Sequence, residues 1–377
     1  NFHWFFFIND FFNCYKFNYT ILIFMYYKPL LFKLFFLPSL IILLIGCNDS
    51  NLNKTKPFTS LEINHVLLDS TINIRAIEIK NNKIYNASST GAIYSFDINS
   101  PKLIKQEQYS STEDSIEYPN FRSLAITKDH VFAISIANPA LIFKDGKVVY
   151  RENHEKVFYD SMHFWNDKEG IVVGDFTDNC INILITRDGG NIWNKVDCNK
   201  LNSIKDNEGF FAASDTNITI IGDKTWLASG GINSRIYYSK NKGLDWIVIE
   251  TPIIQGETTT GIFSIDFYDK NNGFAIGGDY TKPLINSKNK IRTSDGGLTW
   301  NVVAENENPG YRSCVQYVPN SKGLGLVSLG FDGIDYSSDA GDSWTNLSSE
   351  GYYSFRFYND SIAYAAGNGK ISKLHFK

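Results

Sequence analysis

Cysteine, methionine, histidine and proline are all scarce in this chain, at five, two, six and ten residues among 377. His65, His130, His154, His163 and His375 stand apart from one another, and no Cys-x-x-Cys or His-x-x-x-His spacing occurs. No metal-ligand set of the common kinds is therefore expected. A Gly-x-Gly-x-x-Gly turn opening a helix and a Walker-type loop are absent too, so no nicotinamide, flavin or other cofactor is expected. Positive charge is also in short supply. Without residues 1–46, which hold three lysines and one aspartate, 33 basic residues remain against 39 acidic, a net charge of −6. A nucleic-acid surface needs a basic footprint, so nucleic acid is excluded as a partner. No long run of one charge appears, and at 15% aromatic content no disordered domain is expected beyond a short tether.

What the chain does have is repetition. Thr186-Arg187-Asp188-Gly189-Gly190-Asn191-Ile192-Trp193 returns as Ser239 to Trp246, as Thr293-Ser294-Asp295-Gly296-Gly297-Leu298-Thr299-Trp300 and as Ser337 to Trp344. The tryptophans are spaced 53, 54 and 44 residues apart, the period of a unit made of one small antiparallel sheet. In such a turn Asp188, Asp295 and Asp339 accept hydrogen bonds from nearby backbone N–H groups, and Asn241 replaces the acid in the second copy. The glycine supplies a positive φ, and Trp193, Trp246, Trp300 and Trp344 open the next strand and pack inward. These residues are read as structural.

Strands rich in Gly and Ala precede the turns, as in Gly273-Phe274-Ala275-Ile276-Gly277-Gly278-Asp279. Openers of inner strands fall near Ile77, Leu124, Met162, Ala213, Ile265, Val315 and Phe355. Seven openers predict an all-β, single seven-bladed β-propeller over residues 61–377. The final unit supplies only three strands before Lys377, so Leu61–Leu68 is expected to complete it and remove the exposed edges.

The front of the chain has a different character. Residues 1–24, rich in Phe, Asn, Tyr, Ile and Leu, read as spurious upstream translation, with Met25 as the start. Lys28 and Lys33, an apolar run from Leu34 to Ile45 and Gly46-Cys47 make residues 25–46 a secretory signal. An uncleaved transmembrane anchor over residues 21–45 is the alternative, since that stretch is long enough to span. Residues 47–60 suit a polar tether. Either way the domain is placed outside the cytoplasm.

Cys180 and Cys198 flank the turn at Gly189-Gly190 almost symmetrically, which sets them opposite each other across a hairpin. In an oxidising compartment they form a disulfide; in a reducing one they stay free thiols. Cys314 reads as a small buried hydrophobe. Of only eight arginines, Arg75, Arg122, Arg312 and Arg356 lie at or beside inner-strand openers. They are expected to converge at one mouth of the central channel and to hold a carboxylate, with loops 103–121, 251–262 and 279–290 as walls. Pairing of each arginine with a local acid such as Asp160, Asp266 or Glu257 is the plainer reading.

Three resemblances add to this. The repeated turn resembles the Asp-box of bacterial neuraminidase-like (BNR) repeats. Leu44-Ile45-Gly46-Cys47 resembles the lipobox of bacterial lipoproteins, which implies lipidation at Cys47 and a cell-envelope location, at the outer membrane or facing the periplasm. The Gly-Phe-Ala-Ile-Gly-Gly strand, the Thr-Ser-Asp-Gly-Gly-Leu-Thr-Trp turn and arginines at the openers look like the photosystem II stability/assembly factor type of propeller. That implies a monomeric binding or assembly scaffold for a protein ligand. An acidic glycan is the other ligand considered, and a sialidase-like glycoside hydrolase the alternative function. Against the latter, Phe121-Arg122-Ser123-Leu124 lacks the proline of the sialidase segment, and no Tyr/Glu pair is evident.

Overall fold

The structure, a computed structural model, describes residues 57–99, 103–110, 118–178, 180–201 and 208–377. The signal, Cys47 and most of the tether lie outside the described residues. Apart from one 3-10 turn at Cys198–Lys200, every regular element among the described residues is a strand. All the strand pairs are antiparallel, and several return through a tight turn rich in Gly, Asn or Asp, as at Asn81-Asn82 and Gly222-Asp223.

Seven blades were expected, and hydrogen bonding resolves six sheets. The reason lies in how the two ends of the chain meet. Leu61–Lys80 is one continuous strand, and so is Ile362–Phe376. The first half of Leu61–Lys80 pairs with the end of the chain, from Leu61 opposite Phe376 to Leu68 opposite Lys370, and its second half pairs with Lys83–Ser88. Units that the sequence divides are therefore fused into a single six-stranded sheet, from Ser354–Phe357 through to Leu103–Gln108. Only a break in the ladder between Leu68 and Asn73 marks the boundary. The pairing leaves neither end of the ring with a bare strand edge.

The repeat turns hold adjacent sheets together. Thr293 Oγ1 accepts from the Gly297 N–H at 3.0 Å, and Asp295 Oδ1 accepts from the Leu298 and Thr299 N–H groups, each at 3.0 Å. Burial alone would raise the Asp295 carboxyl, but bonds from Thr299, Thr293 and Leu298 hold it down at about 2. Trp300 donates back to Gly297 O at 3.0 Å and meets Phe267 edge-on. The glycine two residues after the Asp or Asn of each turn sits against the preceding sheet: a Cβ would fall 2.4 Å from Phe132 at Gly190, 2.7 Å from Ile185 at Gly243, 2.7 Å from Trp226 at Gly297 and 2.2 Å from Phe274 at Gly341. Positive φ and lack of room thus act together at the same position.

Cys180 and Cys198 are joined in a disulfide with Cα atoms 5.7 Å apart. The register that carries them pairs Leu184 with Lys195 and Ile185 with Asn194. Cys314 is buried and free.

Gly297→Ala is expected to cost about 2 kcal/mol, from the left-handed backbone and the contact with Trp226, read as a lower midpoint in thermal unfolding. Cys180→Ser is expected to cost about 3 kcal/mol for an 18-residue separation, read by denaturant unfolding with and without reductant.

Candidate functional site

Near the axis, the segment Ala213–Asn217 runs across the channel and bonds to the first strand of every other unit. Ala213 O accepts from Arg75 at 3.4 Å, and Ser214 Oγ donates to Ser313 O at 2.6 Å. Ser214 O accepts from Ser354 Oγ at 2.7 Å, and Asp215 Oδ2 accepts from the Leu124 N–H at 3.0 Å. Asp215 O accepts from Arg356 at 3.1 Å, and Thr216 Oγ1 donates to Ser264 Oγ at 2.7 Å. Asn217 Oδ1 accepts from Ser161 Oγ. All five residues of the segment are buried. Burial pushes the Asp215 carboxyl up to about 8, with Glu78 adding to the rise and Arg356 opposing it.

This plug forms part of the floor of a cavity of about 780 Å³. Arg75 and Arg122 line it, and both owe their position to β-bulges. Ile74 pairs with Ser88 and Ala76 with Ala87, leaving Arg75 as the extra residue; Phe121 pairs with Ser135 and Ser123 with Ile134, leaving Arg122. A bulge frees one side chain from the alternation of the pleat and re-aims it. The same irregularity falls at Phe263, at Asp160 and at Asp175.

The arginines are sparsely partnered. Arg75 lies 4.0 Å from the Tyr353 ring centroid and makes only the long bond to Ala213 O. Neither Nε has a hydrogen-bond partner, and no carboxylate is hydrogen-bonded to either guanidinium among the described residues. Burial, and then the neighbouring Arg75 charge, pull the Arg122 guanidinium down to about 10. One wall is aromatic: Phe211 stacks on Phe263 at 3.9 Å, Tyr311 meets Phe263 edge-on at 4.8 Å, and Phe331 lies 5.3 Å from Tyr311. Tyr280 and Phe331 are nearly half exposed at the rim.

Two carboxylates also line the cavity. Glu208 is engaged on both oxygens by Arg235 Nε at 3.1 Å, with Tyr237 and Ser229 bonded as well. Asp175 is bonded only on Oδ1, to the Phe210 N–H at 2.7 Å, and burial pushes it up to about 6 against that bond. A glycosidase needs two carboxylates free to act on one bond. Here one of the two is committed to Arg235.

The four arginines expected at one mouth are thus divided. Arg75 and Arg122 meet in the cavity. Arg312 is buried and turned to Asp335, with Nε to Oδ2 at 2.6 Å, and Arg356 is buried on Glu78 at 2.8 Å and on the plug. Arg312 precedes the strand Cys314–Tyr317, and the ladder at Arg356 runs without a bulge. Of the expected walls, loops 251–262 and 279–290 contribute Thr258 and Tyr280, whereas the described residues of 103–121 contribute none. Asp175, Phe211, Phe263 and Tyr353 were not expected there. Asp175 follows Gly174 within a small-residue strand of the type already visible in the repeat, which was the available signal. Among the described residues no group of three or more His, Cys, Asp or Glu could hold a metal.

No family model and no curated protein matches the sequence. Solved structures do match it. YCF48 bound to D1 peptide superposes on 85% of this chain and 98% of its own, with a TM-score of 0.58 at 10% identity. U3-55K covers 85% of this chain and 100% of its own at a TM-score of 0.57 and 11% identity. YCF48 from Cyanidioschyzon merolae covers 83% and 98% at 0.56 and 14%. At these identities the likeness is one of fold, and the fold is a β-propeller.

Asp215→Asn keeps an acceptor for Leu124 and tolerates the positive φ of 58°. An acid whose pKa is raised by folding stabilises below its unfolded value and loses that contribution as pH rises through the folded value. Wild-type stability is therefore expected to fall between about pH 4 and 8, by up to roughly 1.4 kcal/mol per pH unit from this group. The slope should flatten in Asp215→Asn, as read from urea midpoints across that range.

Proposed function

We propose that this chain is a lipid-anchored, extracytoplasmic scaffold that binds a segment of another protein at the mouth carrying Arg75 and Arg122. The observation that carries the reading is the pair of guanidiniums with no hydrogen-bonded carboxylate among the described residues, in an aromatic-walled cavity. Burying cations without counter-charges is costly, and a ligand carboxylate removes that cost. The cavity volume falls in the range of specific ligand sites. A solved propeller of the same fold, YCF48, is bound to D1 peptide, a precedent for a peptide on this architecture. We further read the four repeat turns as Asp-boxes with a structural role and Cys47 as the lipidated residue that tethers the ring to the cell envelope. The disulfide Cys180–Cys198 suits an oxidising compartment.

The test is crosslinking in the native cell with the full chain, followed by mass spectrometry. An Arg75→Ala/Arg122→Ala variant of unchanged thermal midpoint is expected to recover its partner at least tenfold less well than wild type. Equal recovery would overturn the reading, as would turnover of a sialoside or β-glucan by the purified domain.

A further inference from the structure

The cavity holds charges of both signs, and the anionic one has been given a place as deliberately as the cationic pair. Asp175 is the extra residue of a bulge, with Gly174 opposite Asn182 and Phe176 opposite Ile181. Its own N–H donates to Phe158 O at 2.8 Å, and its Oδ1 accepts from Phe210. Gly209 passes so close that a Cβ there would lie 2.8 Å from Oδ1. The carboxylate is thus fixed by backbone from two directions, and no basic side chain is paired with it among the described residues. Behind it stands the fully buried Asp160.

We propose that Asp175 sets the charge selectivity of this cavity: the segment it accepts carries a basic group for Asp175 beside the acidic group for Arg75 and Arg122, and is a mixed-charge stretch rather than a run of acidic residues. The inference rests on the reading of this mouth as a peptide site. The charged and titratable groups around Asp175 are Arg75 and Arg122 from neighbouring inner strands, Asp160 on the adjacent strand Tyr159–Phe164, and Glu208, whose charge is matched by Arg235. Burial, and then the Asp175 charge, push the Asp160 carboxyl well above the usual range, against the Ala212 backbone and the Arg122 charge. A second ligand carboxylate would therefore meet Asp175 as a like charge in a partly desolvated site, where such repulsion is strong. A ligand ammonium or guanidinium would instead pair with it. Since burial pushes Asp175 up to about 6, the two ligand types should respond to pH in opposite directions.

The experiment uses the full chain in detergent and an array of labelled octapeptides. Every peptide carries one aromatic residue and either one aspartate, one aspartate and one lysine, or one lysine, in all orders. Among the peptides retained by wild type at pH 7.5, those with both charges should bind at least tenfold tighter than aspartate-only peptides. Their affinity should rise as pH climbs from 5 to 7, while that of aspartate-only peptides falls. Both slopes and the tenfold preference should vanish in Asp175→Asn. Equal binding of the two classes by wild type, or a preference that survives Asp175→Asn, would overturn the selectivity while leaving the peptide site standing. No retention of any peptide, or retention indifferent to Arg122→Ala, would overturn both.

Discussion

The ring is organised around a short stretch of chain that forms no regular strand for most of its length. Ala213–Asn217 lies where the inner strands converge: its carbonyls, carboxylate and amide oxygen accept bonds from, and its hydroxyls donate them to, residues in or beside those strands. Side-by-side packing of sheets through apolar faces fixes neighbours but not the whole circle. A polar segment touching every unit at once does fix it, because each bond is buried and would cost about 1–3 kcal/mol if left unmade. The price of the arrangement is a set of ionisable groups in a dry place, with Asp215 raised by burial and Arg356 spanning Glu78 and the plug.

Ala213 of this segment lines the cavity beside Arg75 and Arg122, so the charged side chains there reach it from other strands. A regular inner strand cannot project much, since its alternate residues are committed to the sheets on either side. The bulges at Arg75, Arg122, Asp175 and Phe263 solve that problem by inserting one residue that belongs to neither face. Polar and aromatic groups are thus added to the cavity without changing the packing positions that hold the sheets together.

This also sets the limit of what could be read from the amino acids. The turns were legible because their needs are local: a hydroxyl, an acid, a glycine and a tryptophan within eight residues satisfy one another. The joining of Leu61–Leu68 to the final strand was legible because an apolar strand without a neighbour must find one. The number of sheets was not, since whether two strands are continuous depends on whether the ladder between Leu68 and Asn73 ends in a turn or merely in an irregularity. Nor was the division among the four arginines. Arg75 and Arg356 both lie within strands that open a unit, but only the first is skipped by its partner strand.

A bulge is set by the partner as much as by the residue displaced. Arg75 is extra because Ser88 and Ala87, both buried, take consecutive places opposite Ile74 and Ala76. Arg122 is extra because Ser135 and Ile134 do the same opposite Phe121 and Ser123. In both cases a buried serine lies opposite the residue just before the bulge, and its hydroxyl is used within its own sheet: Ser88 Oγ accepts from the Ala92 N–H at 3.2 Å, and Ser135 Oγ from the Leu141 N–H at 3.1 Å. The small polar residue satisfies backbone left unpaired as the second strand turns back, and it fixes the register that displaces the arginine. The placement of Arg75 and Arg122 is therefore set partly by strands that do not line the cavity, and such pairing is not visible from the openers alone.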